Sequence, residues 1–185
     1  DVCHLPFRDG TFDSTFCVAV LQHITDVEGA VREFARVTRP GGRVLAVEPD
    51  NTARFFYGSI PSASRAFALS QQFFAAMDGR REVGDGAIGP KLPLLFSRYG
   101  IEPLDVRLFP VSDIRLSQLP PEVWKERRAR AERYVAQAPT DEARALGREY
   151  LDSLDAYATD AKATQSAFVE IQNATLFATV GQRED

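Results

Sequence analysis

The sequence predicts an α/β fold: an open, parallel-based sheet with helices packed on it. Residues 16–21, Phe-Cys-Val-Ala-Val-Leu, and residues 44–47, Val-Leu-Ala-Val, are short continuous apolar runs. Strands buried on both faces read this way. Between them Val27, Ala30, Val31, Phe34, Ala35 and Thr38 recur at the spacing of one helix face. Strand, helix and strand in close succession form a βαβ unit, so the two strands are parallel and the crossover right-handed.

The flanks of this unit carry matching signals. Residues 1–13 are polar, with Pro6 and Gly10 as breakers. Asp26 stands where a helix N-cap belongs. Arg36 and Arg39 lie near the helix end, where cations suit the dipole, and Pro40-Gly41-Gly42 stops it. Farther on, Ser64 to Met77 reads as a helix with Phe67, Phe73, Phe74 and Met77 toward one side. Residues 80–90 read as a glycine-rich loop, and Leu92 to Tyr99 as a short helix ended by Gly100. Leu104, Val106 and Leu108 alternate with polar residues, the pattern of a half-exposed strand. Pro120-Pro121 opens a helix to about Gln137, a second runs from about Asp141 to Tyr157 or beyond, and the last strand spans Ala174 to Val180.

The chain has 185 residues, a length that fits one domain with a substantial core. Its 44% hydrophobic and 26% charged residues exclude a disordered or collagen-like chain. A net charge of −4 argues against a dedicated nucleic-acid binder relying on a basic face. No uninterrupted apolar run approaches the ~18 residues of a membrane span. Cys3 and Cys17 make neither a disulfide framework nor a zinc site, so no metal is expected and a reducing cytoplasm is the simple reading.

Two segments carry a family resemblance. Asp1-Val2-Cys3-His4-Leu5-Pro6-Phe7 with Asp9-Gly10-Thr11-Phe12-Asp13 resembles the D-A-x-x-L-P-F-x-D-x-S-F-D stretch of class I S-adenosylmethionine-dependent methyltransferases. Val20-Leu21-Gln22-His23-Ile24 followed by Glu33-Phe34-Ala35-Arg36-Val37-Thr38-Arg39-Pro40-Gly41-Gly42 resembles their V-L-H-H-L … E-x-x-R-V-L-K-P-G-G stretch. The match covers residues 1–50; beyond them only the order of elements agrees. The resemblance implies a Rossmann-like sheet of seven strands with the last antiparallel, of which this chain would supply strands four to seven. Residues 1–185 would then be a single, amino-terminally truncated domain, with a helical insertion at 117–167 before the last strand. The missing part would carry the glycine-rich turn under the methionine moiety and the acid that holds the ribose. Neither is found in this sequence.

The resemblance also implies roles. S-adenosylmethionine would be the cofactor. The Asp1 carboxylate would accept from the adenine amino group, and the Val2 backbone N–H would face a ring nitrogen. Cys17, Val18 and Ala19 would line the cofactor with their backbone, since ligands bind outside the carboxyl ends of such strands. The Cys17 side chain itself reads as a small buried hydrophobe. His23, next along, is the candidate general base; a structural or solvent-facing histidine is the competing reading for it and for His4. Glu48, Asp50, Asn51 and Tyr57 are candidates for the substrate, an apolar molecule with one or two polar groups. For these the bland alternative is that the acids cap a turn and the aromatics are core.

Two further motifs carry less. Gly84-Asp85-Gly86-Ala87-Ile88-Gly89 spells G-x-G-x-x-G, but Arg80-Arg81-Glu82-Val83 is no apolar strand, so the glycines read as a loop turning over the pocket. Lys125, Arg127, Arg128, Arg130 and Arg133 stud one helix beside Glu126 and Glu132, which reads first as a solvated face. The expected function is methyl transfer to a small-molecule acceptor. The insertion would be a lid or a homodimer surface. The rivals are a non-catalytic partner-binding module and a tRNA or protein methyltransferase that uses the arginine-rich helix.

Overall fold

A computed structural model describes residues 1–78, 84–164 and 167–185. In chain order they form β1 (Phe12–Val18), α1 (Val27–Val37), β2 (Thr38–Asp50), β3 (Phe56–Gly58), α2 (Pro61–Asp78), α3 (Leu92–Arg98), β4 (Ile101–Arg115), α4 (Pro121–Ala136), α5 (Asp141–Ala163) and β5 (Glu170–Arg183). Single turns of 3-10 helix stand at Leu21–His23 and Gly89–Lys91. The α/β open sheet with helices is the predicted class. The chain divides into two compact units.

The first unit comprises Asp1–Arg54, Glu82–Val111 and Ala174–Asp185. Here β1 runs parallel to β2, with Phe16 opposite Leu45, Cys17 opposite Ala46 and Val18 opposite Val47. The last strand, β5, runs antiparallel to β2, with Leu45 opposite Val180 and Ala46 opposite Thr179. Strand β4 also pairs with β5. The core lies on one sheet face, where Cys17, Val44 and Ala46 pack with Ala30, Val31 and Phe34 of α1 and with Leu92, Leu95 and Phe96 of α3.

Three expectations need correction. The strand predicted at 16–21 is β1, Phe12–Val18, and Leu21 belongs to the 3-10 turn after it. Nor is β1 buried on both faces: Cys17 is covered, while Phe16 and Val18 are 72% and 55% exposed. Side chains alternate along a strand, and the helices of this unit pack on the Cys17 face. Strand β2 is also longer than the run 44–47, because Thr38 is already extended (φ −80°, ψ 134°) and ends α1 at Val37.

Helix α1 starts as read from the sequence. The Asp26 carboxylate accepts from the Gly29 N–H at 2.8 Å. A Cβ on Gly29 would lie 2.2 Å from that carboxylate, so a larger residue there would have to push the cap aside. The helix also anchors the polar start of the chain. Glu33 accepts from the Leu5 N–H at 2.7 Å and from Arg36 at 2.6 Å. Arg36 donates in turn to the carbonyls of Leu5 and Phe7 and to Asp9. The Arg36 guanidinium, with the Leu5 N–H, lowers the Glu33 carboxyl from 4.5 to about 2.

The second unit comprises Phe55–Arg81 and Ser112–Asn173. Helices α4 and α5, the expected insertion, pack here with α2. A short strand missed in the sequence, β3, pairs antiparallel with Glu170–Gln172 of β5. Its Phe56 ring stacks on Phe67 of α2 at 4.6 Å. Glu170 is 1% exposed. It accepts both arms of the Arg127 guanidinium, at 2.8 and 2.6 Å, and the Tyr157 hydroxyl at 2.8 Å. Burial, with the Glu170 charge beside it, pushes the Tyr157 phenol up, so it remains a donor.

Two stability outcomes follow. Because the Glu33 carboxyl is lowered on folding, its contribution is complete above about pH 4.5 and is lost as pH falls toward about 2. Glu33→Gln is expected to flatten the slope of urea stability against pH inside that window and to leave it unchanged above. Arg127→Met strands the buried Glu170 carboxylate and is expected to cost about 3 kcal/mol in urea unfolding; an unchanged midpoint would show that the pair is not holding α4 to β5.

Candidate functional site

In the first unit the carboxyl ends of the parallel strands β1 and β2 meet in one rim. This is where open α/β sheets present ligand-binding loops. Ala19 continues the ladder by donating its N–H to the Val47 carbonyl at 2.8 Å. Its φ is +54°, a conformation that L residues rarely adopt. The chain thus swings out of the strand into the 3-10 turn Leu21–His23.

Glu48, at the end of β2, holds that turn. Its Oε1 accepts the N–H groups of Val20 and Leu21, each at 2.8 Å, and its Oε2 accepts that of Gln22 at 3.2 Å. These are the free donors that every helix start presents, and Val20 at the N-cap brings no side-chain bond of its own. The Cys17 thiol donates to Glu48 Oε1 at 3.7 Å. Glu48 is 0% exposed. Burial, and then the neighbouring Glu48 charge, push the Cys17 thiol up to about 12.

A loop lies over the turn. Gly84 has φ +71°, and a Cβ on it would fall 2.0 Å from the Gln22 carbonyl oxygen. The Asn51 backbone N–H and its Nδ2 both donate to the Gly86 carbonyl, at 2.9 and 3.0 Å. Asn51 Nδ2 also reaches Gln22 Oε1 at 3.3 Å. Asn51 therefore links the end of β2, the turn and the glycine loop. Asp85 accepts from the Ala87 N–H and pairs with Lys91. The part of the expected 80–90 loop at residues 80–83 lies outside the described residues.

The predicted residues fall into three groups. Cys17, Val18, His23, Glu48, Asp50 and Asn51 all stand at this rim. His23 is exposed, and its ring makes no hydrogen bond to the other described residues. Asp50 Oδ1 accepts from Thr52 N, Thr52 Oγ1 and Ala53 N, so it caps the turn leaving β2. Asp1 and Val2 lie on the loop held to α1. The Asp1 carboxylate is open to solvent, accepting from the Cys3 N–H at 2.9 Å and lying 3.3 Å from His4 Nδ1. Val2 is half-buried against the core. Cys3 Sγ donates to the Asp26 carbonyl, tying that loop to the β1–α1 connection. Tyr57, on β3, belongs to the second unit and is 52% exposed.

Sequence reasoning missed the positive φ of Ala19, the place of Gln22 and the anchoring of Gly86. Ala19 carries no compositional sign of a positive φ. Among the described residues no three or more His, Cys, Asp or Glu are placed to hold a metal. No helix there is long and apolar enough to cross a membrane. The thiols give a direct check: 5,5′-dithiobis(2-nitrobenzoate) should titrate half-buried Cys3 in the native protein and Cys17 only after denaturant is added. Rapid native reaction of Cys17 would mean that the Glu48-held turn opens readily.

Residues 1–46, which contain the β1 side of this rim, match the family model described as a methyltransferase domain. A demethylmenaquinone methyltransferase of Streptomyces griseus is 33% identical over 109 residues, covering 54% of this chain and 46% of that relative. The demethylmenaquinone methyltransferase of Mycobacterium tuberculosis is 46% identical over 83 residues, covering 40% of this chain and 36% of that relative. The matched segments thus span less than half the length of these curated relatives. Among solved structures, the YcgJ protein of Bacillus subtilis superposes with a TM-score of 0.49 at 18% identity, covering 100% of this chain and 69% of that one. A phosphoethanolamine N-methyltransferase of Haemonchus contortus, solved with S-adenosylhomocysteine, gives 0.42 at 17% identity, over 100% of this chain and 36% of that one.

Proposed function

We propose that this chain is part of an S-adenosylmethionine-dependent methyltransferase that acts on a small molecule. The observation that carries the reading is the coincidence of two things. The methyltransferase-domain match falls on residues 1–46, and that segment builds the Ala19–His23 turn at the end of β1.

The residues present fit the adenine side of the cofactor. The Asp1 carboxylate is exposed and is an acceptor suited to an exocyclic amine. Val18, 55% exposed, and Val20, 36% exposed, offer apolar surface to a planar ring. The Cys17–Ala19 backbone lies at the same strand end as Val18 and Val20. When bound, the cofactor supplies a methyl group on a positively charged sulfur. The chain's own residues would then align the acceptor and exclude water. The exposed His23 imidazole would take a proton from an acceptor that starts protonated. Among the described residues β1 stands at the end of the sheet order with its outer edge unpaired, and its face with Phe16 and Val18 is open; both support reading the chain as part of a larger domain.

For the acceptor, a quinone-like apolar ring is the first to offer, because the matched relatives are named for demethylmenaquinone. The nucleic-acid alternative is weakened on α4, where two of its five cations are committed: Arg127 to Glu170, and Arg128 to Asp155 and Glu132. The non-catalytic alternative has in its favour only the same open β1 face.

The test is calorimetry with S-adenosylhomocysteine on the natural full-length protein, followed by transfer of radiolabelled methyl to demethylmenaquinone and to tRNA. Binding with label on the quinone is the expected outcome. Label on tRNA would move the acceptor to nucleic acid, and absence of binding would leave the partner-binding module.

A further inference from the structure

The sequence offers Glu48 as a substrate contact or a turn-capping acid; it is completely buried and its oxygens are already engaged. Burying a carboxylate is expensive unless it is paired or well hydrogen-bonded. No Lys, Arg or His among the described residues is ion-paired with it. Its charge is met instead by backbone N–H groups of Val20, Leu21 and Gln22. A serine or aspartate at position 20 would cap such a turn locally. Here the cap comes from the neighbouring strand, and it grips the residues next to Ala19, whose φ is +54°. Strain of this kind persists only where the surroundings over-determine it, and it gathers at functional sites.

Resting on the methyltransferase reading above, we infer that Glu48 is a positioning residue of the methyl-transfer site. Its buried carboxylate preforms the Ala19–His23 turn, so that the strand-end backbone, His23 included, stands in place before the ligand arrives. Preorganisation of this kind lowers the ordering cost of binding. Asn51 secures the other side of the same turn through Gln22 and Gly86. Glu48 itself does not touch the ligand.

The experiment uses the natural full-length protein and has two parts. In the wild type, amide exchange at Val20, Leu21 and Gln22 is followed with and without S-adenosylhomocysteine. Slow exchange already present without ligand is expected; protection that arises only on binding would overturn the proposal. This arm needs no variant, so it stands even if a substitution prevents folding.

In Glu48→Gln, one oxygen still accepts from Val20 and Leu21, but an NH2 group faces the Gln22 N–H. Loss of that charge-assisted bond is expected to weaken S-adenosylhomocysteine about tenfold and to speed Gln22 exchange. It should raise the S-adenosylmethionine KM more than it lowers kcat. Unchanged affinity in a folded Glu48→Gln protein would overturn the proposal. If the wild type binds no S-adenosylhomocysteine, the methyltransferase reading fails and the positioning role falls with it. That result is distinct from wild-type binding that Glu48→Gln leaves intact.

Discussion

A single buried carboxylate organises the rim at the carboxyl ends of β1 and β2. Glu48 sits at the end of β2 with no exposed surface, and it accepts backbone N–H groups from the turn that follows β1. The strands are already paired in parallel register as far as Val18 and Val47. What the carboxylate adds is the path of the chain beyond the ladder. Without it, the start of the turn would have unsatisfied donors in a buried place, and Ala19 would have little reason to hold a left-handed conformation.

The other features of the rim build on that turn. The glycine at position 84 lets a second loop lie directly on the Gln22 carbonyl, a fit only possible if that carbonyl has a fixed position. Asn51 then fastens the loop through Gly86. On the far side, Arg36 and Glu33 hold residues 5–9 against α1, and Cys3 ties the start of the chain to Asp26. Segments from three parts of the chain therefore converge on the β1–α1 connection. Each is held by bonds to backbone, the kind of support that gives a loop a defined shape.

The legible part of this fold was the part written in local periodicity. Helix α1 could be read because its apolar face repeats and Asp26 marks its start. The parallel pairing of β1 and β2 followed from the helix between them. The ends of β1 could not be read: Val20 and Leu21 extend an apolar run, and composition does not tell a turn capped from elsewhere from two more strand residues. Strand β3 is three residues long and exists through pairing with Glu170–Gln172, far along the sequence. The site was half legible. A motif located its residues, but not which ones face a ligand. Glu48, closing a strand, reads as a substrate contact or a turn cap, and only the tertiary structure shows the amides that make its burial tolerable.

The second unit follows a similar logic with a different partner. Glu170 is as buried as Glu48, but there a guanidinium and a phenol satisfy it and tie α4 and α5 to β5. One buried acid secures packing between elements; the other shapes a loop. The central claim is that the loop-shaping acid marks a cofactor-binding rim. The most direct measurement is a crystal structure of the natural full-length protein with S-adenosylhomocysteine. Adenine density beside Asp1 and Val18, with the Ala19–His23 turn unmoved, is the predicted result. Density elsewhere, or a turn that rebuilds around the ligand and releases Glu48, would contradict it.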